Sequence, residues 1–310
     1  MKHTAKKILC TLLVMVMCLT VAPLSGFVDF GITASALADS GSFGENVTYT
    51  YDSSTGELVI SGTGAMTNYH SGDGSPFYNS DIKSVVIEDG VTSIGSFAFY
   101  GCSSLKSVTI PDSVTSIGAA FIDCTSLASV TIPDSVITIA AHAFSGCESL
   151  QSITIPDSVT SIGGYGTFSG CRSLESITIG NSVTYIGNLV FSDCTSLKSV
   201  TIPDSVTSIE ADAFVDCTSL ESVTIPDSVT SISFGAFSGC TSLTDVYYGG
   251  TEEQWNSINI EVFRNECLTG ATIHFLGEDL SPEEEVDNSF FGKIKAFFTR
   301  IIEWFRNLFR

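Results

Sequence analysis

Positive charge is scarce over most of this chain. Residues 39–287 hold 5 Lys and Arg against 32 Asp and Glu. So acidic a body repels nucleic acid and anionic surfaces. No CxxC pair occurs, so structural zinc lacks a ligand set of ordinary spacing. HExxH, GxSxG and phosphate-loop signatures are missing as well. His70, His142 and His274 fall in different segments, and no nucleophile, base and orienter can be assembled from them. Catalysis, a cofactor and a bound metal are therefore not expected. The chain has no long apolar run either: residues 8–22 are fifteen, short of the ~20 that span a bilayer. No LPxTG-like sorting motif lies near the C-terminus.

What the N-terminus does have is the pattern of an export signal. Lys2, Lys6 and Lys7 precede the apolar stretch, and two small-residue cleavage sites follow, Ala34-Ser35-Ala36 and Ala36-Leu37-Ala38. Cys18 follows Met17 rather than a small residue, which argues against a lipoprotein anchor. The protein is expected to be secreted or held at the cell surface.

The rest of the chain repeats itself. "TIPDSVTSI" occurs at 109–117, 154–162, 201–209 and 224–232, with looser copies at 86–94, 131–139 and 178–186. Aligned on Leu105, one unit carries Val108, Ile110, Val114, Ile117, Phe121 and Cys124, and the next opens at Leu127. Val108 and Ile110, two apart, mark a short half-buried strand. Pro111-Asp112-Ser113 turns the chain, since Pro fixes φ and Asp can bond its own backbone two residues on. "VTSIG" gives a second extended piece, and the spacing of Phe121 and Cys124 predicts a short helical turn. No unit can bury that apolar column alone, but stacked units cover one another.

The expected fold is thus a repeat solenoid of ~23-residue units, each a short parallel strand plus turn and short helix. Ten buried strand positions, from Ile60 to Phe275, imply a length on the order of 45 Å. The reading divides the chain into a signal peptide (1–38) and an N-terminal cap with hairpin and loop (39–81). The repeat array (82–244) and a C-terminal cap (245–276) follow, then an acidic linker (277–287) and a basic amphipathic helix (288–310).

Three recurring positions invite a role. Seven cysteines, Cys102, Cys124, Cys147, Cys171, Cys194, Cys217 and Cys240, keep step with the repeat. An odd number of equivalent positions is no pairing scheme, so they read as small buried apolar residues. Asp89, Asp112, Asp134, Asp157, Asp204 and Asp227 form an acidic row in which Asn181 also takes a place. Asn keeps a turn's hydrogen bond and loses the charge, so backbone capping is expected there rather than calcium.

The third row is the candidate ligand face. Ser107, Thr109, Ser129, Thr131, Ser152, Thr154, Ser176, Thr178, Ser199, Thr201, Ser222 and Thr224 alternate with the buried residues and should point outward. Hydroxyls both donate and accept, so this ladder could dock a polar extended ligand, although Thr also simply suits an exposed strand. Aromatic rings are missing from it until Tyr247.

The tail has chemistry of its own. Phe291, Ile294, Phe298, Ile301, Phe305 and Leu308 fall on one helical stripe, broadened by Trp304. Five basic residues accompany Glu303 as the only acid in 288–310. Such a stripe suits a membrane interface; docking on the solenoid's end and self-association are the alternatives.

The unit "SLxSVTIPDSVTSIGxxAFxxC", "ISGTGAM" (60–66) and "YYGGTEEQWNSI" (247–258) resemble the BspA-like leucine-rich repeat proteins of bacterial surfaces. The resemblance spans about residues 43–276. It implies an extracellular binding or adhesion module for a protein or matrix ligand, with no catalytic residues to carry over. A membrane-directed protein with the solenoid as spacer, and a passive surface component, are the rival expectations.

Overall fold

The computed structural model describes residues 39–70 and 74–277. The expected export segment, and the linker and amphipathic tail beyond Gly277, lie outside them.

Each repeat makes one turn of a three-sided coil. The first side is a strand such as Ser107–Thr109, Ser152–Thr154 or Ser222–Ile225. Equivalent strands pair in parallel without offset: Ser84, Ser107 and Ser129 share a register, as do Ser199, Ser222 and Asp245. The second side is the "SI" piece, as in Ser116–Ile117 and Ser208–Ile209, and it forms its own parallel ladder. Period-2 patterning explains both sides, since Val108 and Ile117 are buried while Ser107, Thr109 and Ser116 beside them are not.

The third side is where the sequence reading needs correcting. The short helix expected around Phe121–Cys124 is instead a run of turns. Phe121 N–H donates to Ala143 C=O at 2.9 Å, Asp123 N–H to Ser145 C=O at 2.8 Å and Phe144 N–H to Thr167 C=O at 2.9 Å. An N–H given to the next rung is not available for a bond within a helix. The geometry also demands left-handed backbone just before each register cysteine. Gly101, Asp123, Gly146, Gly170, Asp193, Asp216 and Gly239 all have φ between 56° and 74°. Only Gly and Asp occupy that position because they adopt this conformation at least cost.

Inside the coil, Phe77, Phe99, Phe121, Phe144, Phe168, Phe191, Phe214 and Phe237 form one stack. Successive centroids are 5.1–6.0 Å apart and the rings lie within 19° of parallel. All eight are fully buried. Burial of each contributes about 1.5–3 kcal/mol, and the stacking of each pair a further ~0.5–1.5 kcal/mol.

Two polar ties link the rungs. Each register thiol donates to the carbonyl of a phenylalanine in the preceding rung, from Cys102 to Phe77 through Cys240 to Phe214, at 3.1–3.3 Å. The serine of "PDS" does the same on the second corner: Ser113, Ser135, Ser158, Ser205 and Ser228 donate to a valine carbonyl one rung back at 2.6–2.8 Å. That serine takes the capping role expected of the neighbouring aspartates. The turn itself is closed by the backbone, as where Val114 N–H donates to Pro111 C=O at 3.1 Å. Among the aspartates of that row, Asp157 alone accepts a hydrogen bond within the described residues, from Asn181 N–H at 2.7 Å.

The coil has one irregular level. Gly163-Gly164-Tyr165-Gly166 lengthens the third side of its unit by one residue. Across it the second sheet is interrupted, since Ser161–Ile162 does not pair with Tyr185–Ile186; the first sheet is interrupted one rung later, between Ser176–Thr178 and Ser199–Thr201.

Candidate binding surface

The hydroxyl ladder lies on the outward face of the first sheet. Ser107, Thr109, Ser129, Thr131, Ser152, Thr154, Ser176, Thr178, Ser199 and Thr201 are exposed, while Ser222 and Thr224 are half-buried. Strand alternation aims them outward because Val108, Val130, Ile153 and Val200 between them fill the core. Each serine and threonine sits beside its counterpart in the next rung, as Ser152 beside Ser176 and Thr154 beside Thr178. The break in the first sheet divides the ladder between Thr178 and Thr201.

At the C-terminal end the ladder changes character. Asp245 stands in register with Ser222, and Tyr247 with Thr224. His274 is next to Tyr247 in the following strand. The Tyr247 and His274 rings stack at 4.8 Å and 16°. His274 Nε2 and Asp245 Oδ1 are 2.7 Å apart, and Thr244 donates to the other carboxylate oxygen at 2.7 Å. The hydrogen bond with His274, then that from Thr244, holds the Asp245 carboxyl below its ordinary value. Sequence reasoning singled out Tyr247 but not Asp245 or His274. Their signal was present in the register, since both occupy positions that hold Ser or Thr elsewhere.

His142 is half-buried rather than a free surface residue, its ring edge-on to Tyr165 at 5.3 Å. It lies on the third side several rungs before the first-side strand that holds His274, so the histidines are not brought together. The register thiols are equally remote from chemistry. Burial pushes Cys102 up to about 11 and Cys171 up to about 12, and a neutral thiol is a poor nucleophile. The candidate membrane face (Phe291, Ile294, Phe298, Ile301, Trp304, Phe305 and Leu308) lies outside the described residues. No described helix is long and apolar enough to cross a membrane.

The family model for the BspA type leucine rich repeat region matches in six copies over residues 73–166 and 164–282. A leucine-rich repeat protein of T. pallidum, solved by crystallography, is 31% identical; the match covers 68% of this chain and 90% of that one, with a TM-score of 0.49. A leucine-rich cell surface protein from Faecalibacterium prausnitzii is 25% identical over 70% of this chain and 96% of its own, TM-score 0.36. A leucine-rich repeat protein from Eubacterium ventriosum is 25% identical over 68% and 73%, TM-score 0.43. No curated protein matches this chain.

Proposed function

This chain belongs to the BspA-type leucine-rich repeat proteins, and from that premise we propose a non-catalytic binding module of the bacterial cell surface. Its ligand is a protein or matrix component lying along the hydroxyl ladder of the first sheet. The observation that carries this reading is the ladder's register. Ser152 beside Ser176 and Thr154 beside Thr178 repeat donors and acceptors at the ~4.8 Å strand spacing, which suits an extended polar chain better than a compact small molecule. The Tyr247–His274 stack supplies an aromatic anchor at one end, the type of residue that dominates binding energy in protein interfaces. The F. prausnitzii relative is itself described as a leucine-rich cell surface protein.

The test is binding of the full chain to a panel of immobilised extracellular-matrix proteins. Replacing Thr131, Thr154 and Thr178 together by Glu should weaken the strongest interaction at least tenfold and leave the melting temperature in place. Equal binding by that variant would remove the ladder from the ligand surface.

A further inference from the structure

The solenoid's C-terminal end is open. The last strand, Thr272–Phe275, pairs with Asp245–Tyr248, and no described strand pairs with its outer edge. Its rung has a first side only among the described residues; Ile258 and Leu268 of the rung before it are buried all the same, but other apolar residues on the second and third sides are left uncovered. The exposures follow. Val246 and Tyr248 are 0% and 1% exposed, whereas their register partners Ile273 and Phe275 are half-exposed. Ile232 is buried and its partner Ile260 is half-exposed. Val262 and Phe263, on the third side, are 64% and 69% exposed, more than any other large apolar residue described. A repeat array that stops in this way leaves both an apolar layer and a row of strand N–H and C=O groups uncovered, which requires a cap.

We propose that residues 288–310 of the same chain form that cap. The described chain ends at Gly277, on the very rung that lacks a cover. Residues 278–287 then allow a reach of up to ~35 Å, enough to return across the end of the coil. The segment has the complementary surface: Phe291, Phe298, Ile301 and Phe305 on one stripe, with five basic residues and one acid. The end rung is acidic, with Glu252, Glu253, Glu261 and Glu266 all exposed. Opposite charge around an apolar centre favours this pairing.

A second copy fits the site less well. Tail-to-tail contact would bring the same four glutamates face to face. Head-to-tail contact would offer the strand Ser40–Ser42, which is short and polar, with Phe43 behind it already buried. The head-to-tail contact supplies no apolar surface to match Phe263 and Phe275, and the tail-to-tail contact supplies one only against that repulsion.

The experiment uses the full chain and reads amide hydrogen exchange at Thr272–Leu276 together with the melting temperature. Phe298→Asp should speed exchange there at least tenfold and lower the melting temperature by roughly 5 °C, with Ser152–Thr154 unaffected. Phe263→Asp, on the receiving surface, should have the same effect, and the two together should add little beyond either alone. Unchanged exchange and melting in Phe298→Asp would overturn the proposal. So would binding of the parent chain to phosphatidylserine vesicles that Phe298→Asp abolishes without moving the melt, which would assign the segment to a membrane. A concentration-dependent dimer that Phe263→Asp dissolves would overturn it in favour of a second copy.

Discussion

The two ends of the described coil finish their last rungs in opposite ways. At the N-terminal end, Ser40–Ser42, Val47–Asp52 and Glu57–Gly62 form an antiparallel hairpin, whose last strand then joins Ser84–Ile87 in parallel. Phe43 packs 4.7 Å from Phe77 and 6.0 Å from Phe99, with Tyr49 4.8 Å from Phe77. Phe43 and Phe77 are fully buried. At the C-terminal end the parallel strand pairing runs on until it stops at Thr272–Phe275, and Phe263 stays exposed although it stacks on Phe234 at 5.4 Å. Phe263 extends the outward, half-buried position of Phe234, while the buried stack itself ends at Phe237. The lesson is that each rung is apolar by template, while burial is decided by what lies on top of it.

One perturbation should erase the difference. The thiol column runs between the ends, and Cys102, Cys124, Cys147, Cys171, Cys194 and Cys217 all have raised pKa values. Burial is the main cause at the first five; at Cys217 the contact with the Cys240 thiol leads and burial follows. An unfolded thiol ionises near pH ~8.5, so above that pH the unfolded chain releases protons that the folded chain keeps. Stability is therefore intact below pH ~8 and falls as pH rises toward 11, by up to about 1.4 kcal/mol per pH unit for each thiol. Denaturant melts at pH 7 and pH 10 should differ by more than about 5 kcal/mol. A flat profile would show that the column does not stay neutral.

Single substitutions should sharpen the comparison instead. Phe77→Ala opens a cavity beneath the hairpin and should cost about 3–5 kcal/mol. Phe263→Ala removes a ring whose contact with the coil runs through Phe234, and with residues 288–310 lying over it should cost less, about 1–2 kcal/mol. Equal losses in denaturant melts would mean that the two ends are equally closed.

Asn265 tests the one polar closure at the C-terminal end. It is fully buried, accepts from Phe237 N–H at 3.0 Å and donates to Ser233 C=O at 2.8 Å and Glu261 C=O at 2.6 Å. Phe237 N–H is a group that a further rung would otherwise satisfy, as Ala236 C=O does for Phe214 N–H. Asn265→Ala should cost about 2–3 kcal/mol through the buried groups left unpaired. A loss below about 0.5 kcal/mol, within the range of ordinary surface changes, would show that water replaces the amide.

The smallest effect concerns reactivity. Cys267, near the open end, is only half-buried, while the seven register thiols are buried. Burial, followed by the nearby Cys240, raises its pKa, so it should react slowly. Among the described cysteines a native-state thiol reagent at pH 8 should still modify Cys267 first, and peptide mass mapping would show it. Labelling of Cys102 at an equal rate would mean that the hairpin end opens as readily.

Much of this was legible in the residues. The inward and outward rows follow from strand alternation, and the unit length from counting between identical motifs. The left-handed position was legible too, since only Gly or Asp precedes each register cysteine, but that signal went unread. The Phe121–Cys124 spacing misled because i and i+3 also suits a chain of turns whose N–H groups bond outward. Ser113 and its equivalents looked like turn filler because their acceptors lie a full rung away. Asp245 and His274 are 29 residues apart, and only stacking brings them within 2.7 Å.

By itself, then, the sequence determined the repeating unit, its register and the residues that face the core, because those depend on local period and on identical neighbours. Tertiary structure alone decided where backbone N–H groups on the third side find acceptors, which hydroxyls and thiols tie rung to rung, and which apolar residues remain in water. These are properties of contacts between successive turns of the coil. An apolar residue at a given position is the same in every unit, but the layer that covers it is not.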